Sequence, residues 1–220
     1  MPSFFSISDN TLSTRGYPWI GSIVEGKTPL SFCIACRAPQ DHANGKIRVL
    51  FERRKGTKWA DALGGEYFIV SQRVIDCWEI EGIGTFPIQS VEIAEPYPKK
   101  LEGTEPPKYF WIDGRKLNGA LVDFQASGFV NFGFCSECGR RIENISETFK
   151  RQHATDGKFS YVFQENTWNG LNLFTTNISY RSFFCTEKIV ECARKYRLTN
   201  FRFIPIEEGG AFASKGLKYM

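Results

Sequence analysis

The chain has 220 residues, of which 42% are hydrophobic, 24% charged and 15% aromatic with 20 Phe, enough to bury a real core in one domain or two small ones without disulfides. Its net charge of +4, from 28 basic and 24 acidic residues spread along the sequence, is too mild to mark a nucleic-acid binder and argues against an acidic DNA mimic. No run approaches the ~20 apolar residues of a membrane span, and the opening MPSFFSISDNTLSTRG lacks a basic region followed by a sustained apolar stretch, so a cytoplasmic protein with no membrane partner is expected.

The first chemical feature along the chain is FCIACRA, which carries Cys33 and Cys36. His42 follows in a polar, loop-like setting, and Arg53, Arg54 and Lys55 form a short basic cluster that reads as a solvated turn. Residues 67–93, YFIVSQRVIDCWEIEGIGTFPIQSVEI, then read as a short apolar strand, a Ser71 N-cap, an amphipathic helix of about three turns and a second strand. The next stretch, 94–108, is rich in Pro, Gly and charge and is expected to be an exposed connection.

Tyr109–Ile112 and Ala120–Phe124 are expected to form a hairpin with Asp113-Gly114 starting its turn. FCSECGRR follows, with Cys135, Cys138 and the basic pair Arg140-Arg141, and His153 lies in another polar stretch. Residues 182–208, SFFCTEKIVECARKYRLTNFRFIPIEE, repeat the strand–helix–strand pattern. Thr186 caps, Glu187 sits in the first turn, Ile189, Val190 and Ala193 form the buried stripe, and Arg194, Lys195 and Arg197 favour the negative end. The final GGAFASKGLKYM reads as a loosely held tail or a partner-contacting end.

The two strand–helix–strand segments align at a constant offset of 115, with identical Phe68/Phe183, Cys77/Cys192, Phe86/Phe201 and Glu92/Glu207 and conservative pairs Ser71/Thr186, Arg73/Lys188, Val74/Ile189 and Val91/Ile206. The C-x-x-C pairs are spaced by 102, and each precedes its copy. The sequence therefore divides into an N-terminal half, 1–93, a linker, 94–108, and a C-terminal half, 109–220, within one compact domain of the α+β class.

Seven cysteines, four of them in C-x-x-C pairs, read in a reducing compartment as metal ligation before disulfides. Two residues between cysteines let both thiolates point into one turn, and two such turns facing each other supply the S₄ shell Zn²⁺ favours. Cys33, Cys36, Cys135 and Cys138 are thus expected to hold one structural Zn²⁺, closed across far more sequence than an ordinary zinc ribbon spans. Two reduced or redox-active pairs are the competing reading. Cys77, Cys185 and Cys192 are left over; Cys77 and Cys192, at equivalent helical positions, read as small buried apolar side chains, with a second metal or redox role as the alternative.

No zincin, nucleophile-elbow, Walker or dinucleotide motif occurs, and a full S₄ shell leaves zinc no open position, so no enzymatic activity is expected.

CIAC, CSECG and the two repeated units together resemble the double-CxxCG family of bacterial immunity proteins described from myxobacteria, over most of the chain. Arg37 stands where that family has Gly after its first knuckle. The resemblance implies an antidote that binds and neutralises a cognate toxin encoded by the adjacent gene, with zinc serving architecture only. Tight binding of that kind uses aromatic or Arg anchors, for which Trp59, Tyr109, Trp111, Trp168 and Tyr180 are candidates. The alternative is a zinc-ribbon nucleic-acid-binding protein, with salt-sensitive binding through the basic clusters.

Overall fold

A computed structural model describes residues 2–9, 17, 19–27, 32–35, 43–53, 56–64, 67–127, 133–137, 141–142, 161–177, 179–208 and 217–218. Among these the fold is α+β: two six-stranded sheets, a two-stranded hairpin and two α-helices. No helix among them is long and apolar enough to cross a membrane.

In chain order the strands are β1 (Phe4–Asp9), β2 (Trp19–Lys27), β3 (Ala43–Arg53), β4 (Ala62–Leu63), β5 (Ile69–Ser71), β6 (Ile88–Ile93), β7 (Tyr109–Ile112), β8 (Asn118–Ala120), β9 (Gly133–Phe134), β10 (Arg141–Ile142), β11 (Leu173–Thr176), β12 (Ser179–Thr186), β13 (Phe201–Pro205) and β14 (Leu217–Lys218). Helix α1 (Gln72–Ile80) joins β5 to β6, and α2 (Glu187–Lys195) joins β12 to β13. One sheet runs β2-β3-β6-β7-β5-β4 and the other β14-β13-β1-β12-β11-β8.

The two strand–helix–strand units form where the repeat places them. Ser71 and Thr186 occupy the N-cap positions in extended conformation, but neither side chain caps its helix. Each hydroxyl donates instead to an upstream residue: Ser71 Oγ to Asp61 Oδ1 at 3.1 Å and Thr186 Oγ1 to Asn172 Oδ1 at 2.8 Å. The same residues accept the cap backbone amides, at 2.8 Å for Asp61 O and 2.9 Å for Asn172 O. A carboxylate and an amide oxygen thus outcompete the helix's own N–H groups for these hydroxyls.

Both helices close with the same Schellman pattern. Ile83 N donates to Trp78 O and Gly82 N to Glu79 O; at the equivalent positions Leu198 N donates to Ala193 O and Arg197 N to Arg194 O. The left-handed residue is Gly82 (φ 59°) in one helix and Arg197 (φ 52°) in the other.

The expected 109–124 hairpin does not form. β7 is taken on both sides by β5 and β6, while β8 joins the other sheet, parallel to β11. Asp113 explains the departure: its carboxylate accepts from Arg115 N and caps a 3₁₀ turn at Gly114–Lys116 where the hairpin's turn was expected to start. The chain passes there beneath β12, and a Cβ on Gly114 would collide with Tyr180 O, so only glycine fits. The 94–108 connection is irregular, as expected, yet Ala94, Pro98 and Leu101 are buried, so it is partly packed down.

One core is shared by both sheets and both helices. It contains Ile7, Val70, Val74, Cys77, Trp78, Ile112, Phe183, Cys185, Ile189, Val190, Cys192 and Phe203. The opposite face of each sheet carries its own cluster, built on Ile69, Val91, Tyr109 and Trp111 in one and on Phe4, Phe174 and Phe184 in the other.

Candidate metal centre

The loop between β2 and β3 carries the first knuckle, and β9–β10 frame the second. Cys33 sits between Phe32 and a turn at 34–35, and Cys135 follows β9 into a turn at 136–137. The structure brings these two cysteines together across 102 residues: both are buried and their Sγ atoms lie 3.6 Å apart. That is far beyond the ~2.05 Å of a disulfide. It matches the ~3.75 Å edge of a tetrahedron of sulfurs about 2.3 Å from a central ion.

Cys33 and Cys135 are compatible with zinc in donor chemistry and in the distance between their sulfurs. Cys36 and Cys138, which would complete it, lie outside the described residues, and among the described residues no cluster of three or more potential ligands forms. Cys33, Cys36, Cys135 and Cys138 are the residues that could hold the ion, two of them already at ligand spacing.

The remaining cysteines are poor ligands and poor nucleophiles. Cys185 is fully buried, and desolvation pushes its thiol well up. Cys77 is raised chiefly by burial, and Cys192 is raised to about 11 by burial and then by the nearby charge of Cys77. Thiols held protonated in this way behave as small apolar side chains. Cys77 on α1 and Cys192 on α2 both belong to the shared core.

A buried polar cluster that sequence reading did not single out lies between the halves. Asp61 accepts from Ser71 Oγ, from Arg73 Nη1 at 2.9 Å, and from Thr199 N and Oγ1 at 2.8 and 2.9 Å. Nearby, Asn200 Nδ2 donates to Ala62 O, and on the other side of the helix pair Asn172 Nδ2 donates to Ile83 O. The only advance signal was an acidic residue in the apolar-flanked stretch WADAL, which one sequence does not distinguish from a turn.

Of the candidate binding anchors, Tyr109 and Trp111 are core residues, and burial pushes the Tyr109 phenol far up while its hydroxyl donates to Ala60 O. Trp59 Nε1 donates to Thr104 Oγ1 and Trp168 Nε1 to Leu171 O. Tyr180 is exposed and lies under the Arg181 guanidinium. Phe32 and Ile34, beside Cys33, are exposed at 54% and 78%, whereas the second knuckle presents Ser136 and Glu137. His42, His153, Arg54, Lys55 and Arg140 lie outside the described residues, as do the side chains of Arg53 and Arg141.

The chain matches no known protein-family model, and a search of curated proteins finds none similar to it.

Proposed function

We propose that this protein is a cytoplasmic, non-enzymatic immunity protein that binds and neutralises a cognate toxin encoded by the adjacent gene, with one structural zinc ion bound by Cys33, Cys36, Cys135 and Cys138. The Cys33–Cys135 approach at 3.6 Å carries the zinc part of this reading. The toxin part rests on the resemblance of the paired knuckles and repeated units to the double-CxxCG immunity family.

When bound, zinc would supply folding free energy by cross-linking the two knuckles. The protein's own residues do the rest. Stoichiometric inhibition requires a surface that loses little conformational freedom on binding, and the shared core and two broad sheets supply a rigid support for one.

Two measurements test the two parts separately. Metal analysis of purified protein is expected to give one zinc per chain, and a value far below one overturns the metal centre. Co-expression with the neighbouring gene product is expected to rescue growth and yield a complex. A neighbour that is harmless alone and does not bind overturns the immunity reading. Nucleic-acid binding that weakens steeply with salt would instead favour the zinc-ribbon alternative.

A further inference from the structure

The repeated strand–helix–strand units are incomplete sheets. In one, β5 and β6 run parallel to each other and are held apart by β7, antiparallel to both; in the other, β12 and β13 are held apart by β1. β1 belongs to the N-terminal half of the sequence but completes the C-terminal unit. β7 opens the C-terminal half but completes the N-terminal unit.

These two middle strands are themselves equivalent. Phe4-Phe5-Ser6-Ile7 and Tyr109-Phe110-Trp111-Ile112 align at an offset of 105, and each is the first strand of its half. Their registers coincide on both sides. Phe4 faces Thr186, and Tyr109 faces Ser71, the 115-offset counterpart of Thr186. Ser6 faces Phe184 and Ile204, and Trp111 faces their counterparts Ile69 and Gln89. Ile7 and Ile112 enter the shared core, while Phe4 and Tyr109 enter the two outer clusters.

The halves also meet as two subunits of a symmetric dimer do, with equivalent residues touching. Phe68 and Phe183 pack with ring centroids 4.8 Å apart. Lys188 Nζ donates to Gly82 O, at the end of the opposite helix, and its counterpart Arg73 donates to Tyr196 O, at the end of the other.

We propose that the chain is a covalently joined, strand-exchanged dimer of one strand–knuckle–strand–helix–strand unit. Each half supplies the strand that fills the slot in the other, so the halves are obligate binding partners. Chain order decides the exchange: β7 follows β6 and takes the slot beside it, leaving β1 the slot between β12 and β13. Without the exchanged strand, each sheet splits between parallel neighbours and exposes unpaired edges.

The test uses the full chain with a protease site inserted between the exposed residues Glu102 and Gly103, cut after folding. The nicked pieces, one carrying β1–β6 and the other β7–β14, are expected to elute together at the volume of the intact chain. The amides of residues 5–7 should exchange as slowly as those of β12. Ser6→Pro removes a ladder amide from a strand paired on both sides and is expected to weaken association of the nicked pieces about a hundredfold. Pieces that separate on cutting, fast exchange at residues 5–7, or a Ser6→Pro protein that holds its pieces as tightly as the parent would each overturn the proposal. The exchange measurement on the unsubstituted nicked chain decides the matter if Ser6→Pro does not fold.

Discussion

Replacing Asp61 by alanine removes one carboxylate that receives four hydrogen bonds from three residues in two segments: Ser71 at the start of α1, Arg73 in its first turn, and Thr199 in the loop after α2. The Arg73 side chain is half exposed, at 52%, so its share is screened and worth under about 1 kcal/mol. The Thr199 amide and the Ser71 hydroxyl are the costly losses. Each becomes a donor without an acceptor in or near the core, at roughly 1–3 kcal/mol, softened where water enters the space left by the carboxylate. The expected loss for Asp61→Ala is about 3 kcal/mol in urea unfolding, against under about 1 for Arg73→Ala. An Asp61→Ala protein within about 1 kcal/mol of the parent would refute the claim that this cluster joins the halves.

Phe68→Ala and Phe183→Ala should each cost about 3–5 kcal/mol, and because the rings touch, the double variant should lose less than the sum by about 0.5–1.5 kcal/mol in a double-mutant cycle. At the two helix ends the outcomes should have opposite signs: Gly82→Ala destabilises by about 1 kcal/mol and Arg197→Gly stabilises by up to about 1, read as shifts in thermal midpoint. Burial alone would raise the Asp113 carboxyl, but the bidentate Arg115 bond, the Arg115 amide and the charges of Arg115 and Lys116 hold it below its usual value. A lowered folded-state value means this stabilisation is complete above the unfolded carboxylate range, about pH 4, and is lost as pH falls through the lower folded value. Comparing wild type with Asp113→Asn in urea at pH 6 and pH 3 should therefore show a gap that narrows in acid; a constant gap would contradict the assignment.

The 115 offset was legible because a strand–helix–strand unit leaves a long pattern: cap residue, buried helical stripe, cysteine and apolar strand in fixed order. It located both helices and the strands beside them. The buried stripe Ile189, Val190 and Ala193 stands as read from the 3.6-residue period. The equivalence of β1 and β7 was not legible. Four residues, FFSI against YFWI, carry little information, and unequal inserts move their offset to 105, away from that of the larger unit. Strand exchange is invisible to periodicity, since a strand alternates in the same way whichever sheet it enters. The 109–124 hairpin was misread for a related reason: Asp-Gly after an apolar run is a hairpin signal, but Asp113 caps a 3₁₀ turn that sends β7 and β8 into different sheets. The knuckles were the most readable part of the candidate site. Two C-x-x-C pairs read as one S₄ shell placed Cys33 with Cys135 despite a separation wider than an ordinary ribbon's, whereas the Asp61 cluster depends on residues 138 apart with no motif to connect them.

Zinc and the exchanged strands would join the same two halves, and their relative weights set what metal removal should do. In an isolated zinc finger the ion supplies the folding free energy, about 10–16 kcal/mol in apparent terms, and the apo form is unfolded. Here both halves contribute to one buried core and each completes the other's sheet without passing through the knuckles. Chelation of zinc-loaded protein should therefore lower the thermal midpoint but leave a cooperative transition and the near-ultraviolet signal of the packed aromatics. Increased hydrogen exchange should be confined to the knuckles around Cys33 and Cys135 and the β9–β10 hairpin, and Cys33→Ser and Cys135→Ser should reproduce it. Protection against the toxin would then fall only as far as the knuckle surface takes part in binding. Complete unfolding on chelation would show that the staple outweighs the shared core, and an unchanged midpoint in chelator and in both serine variants would remove the staple altogether.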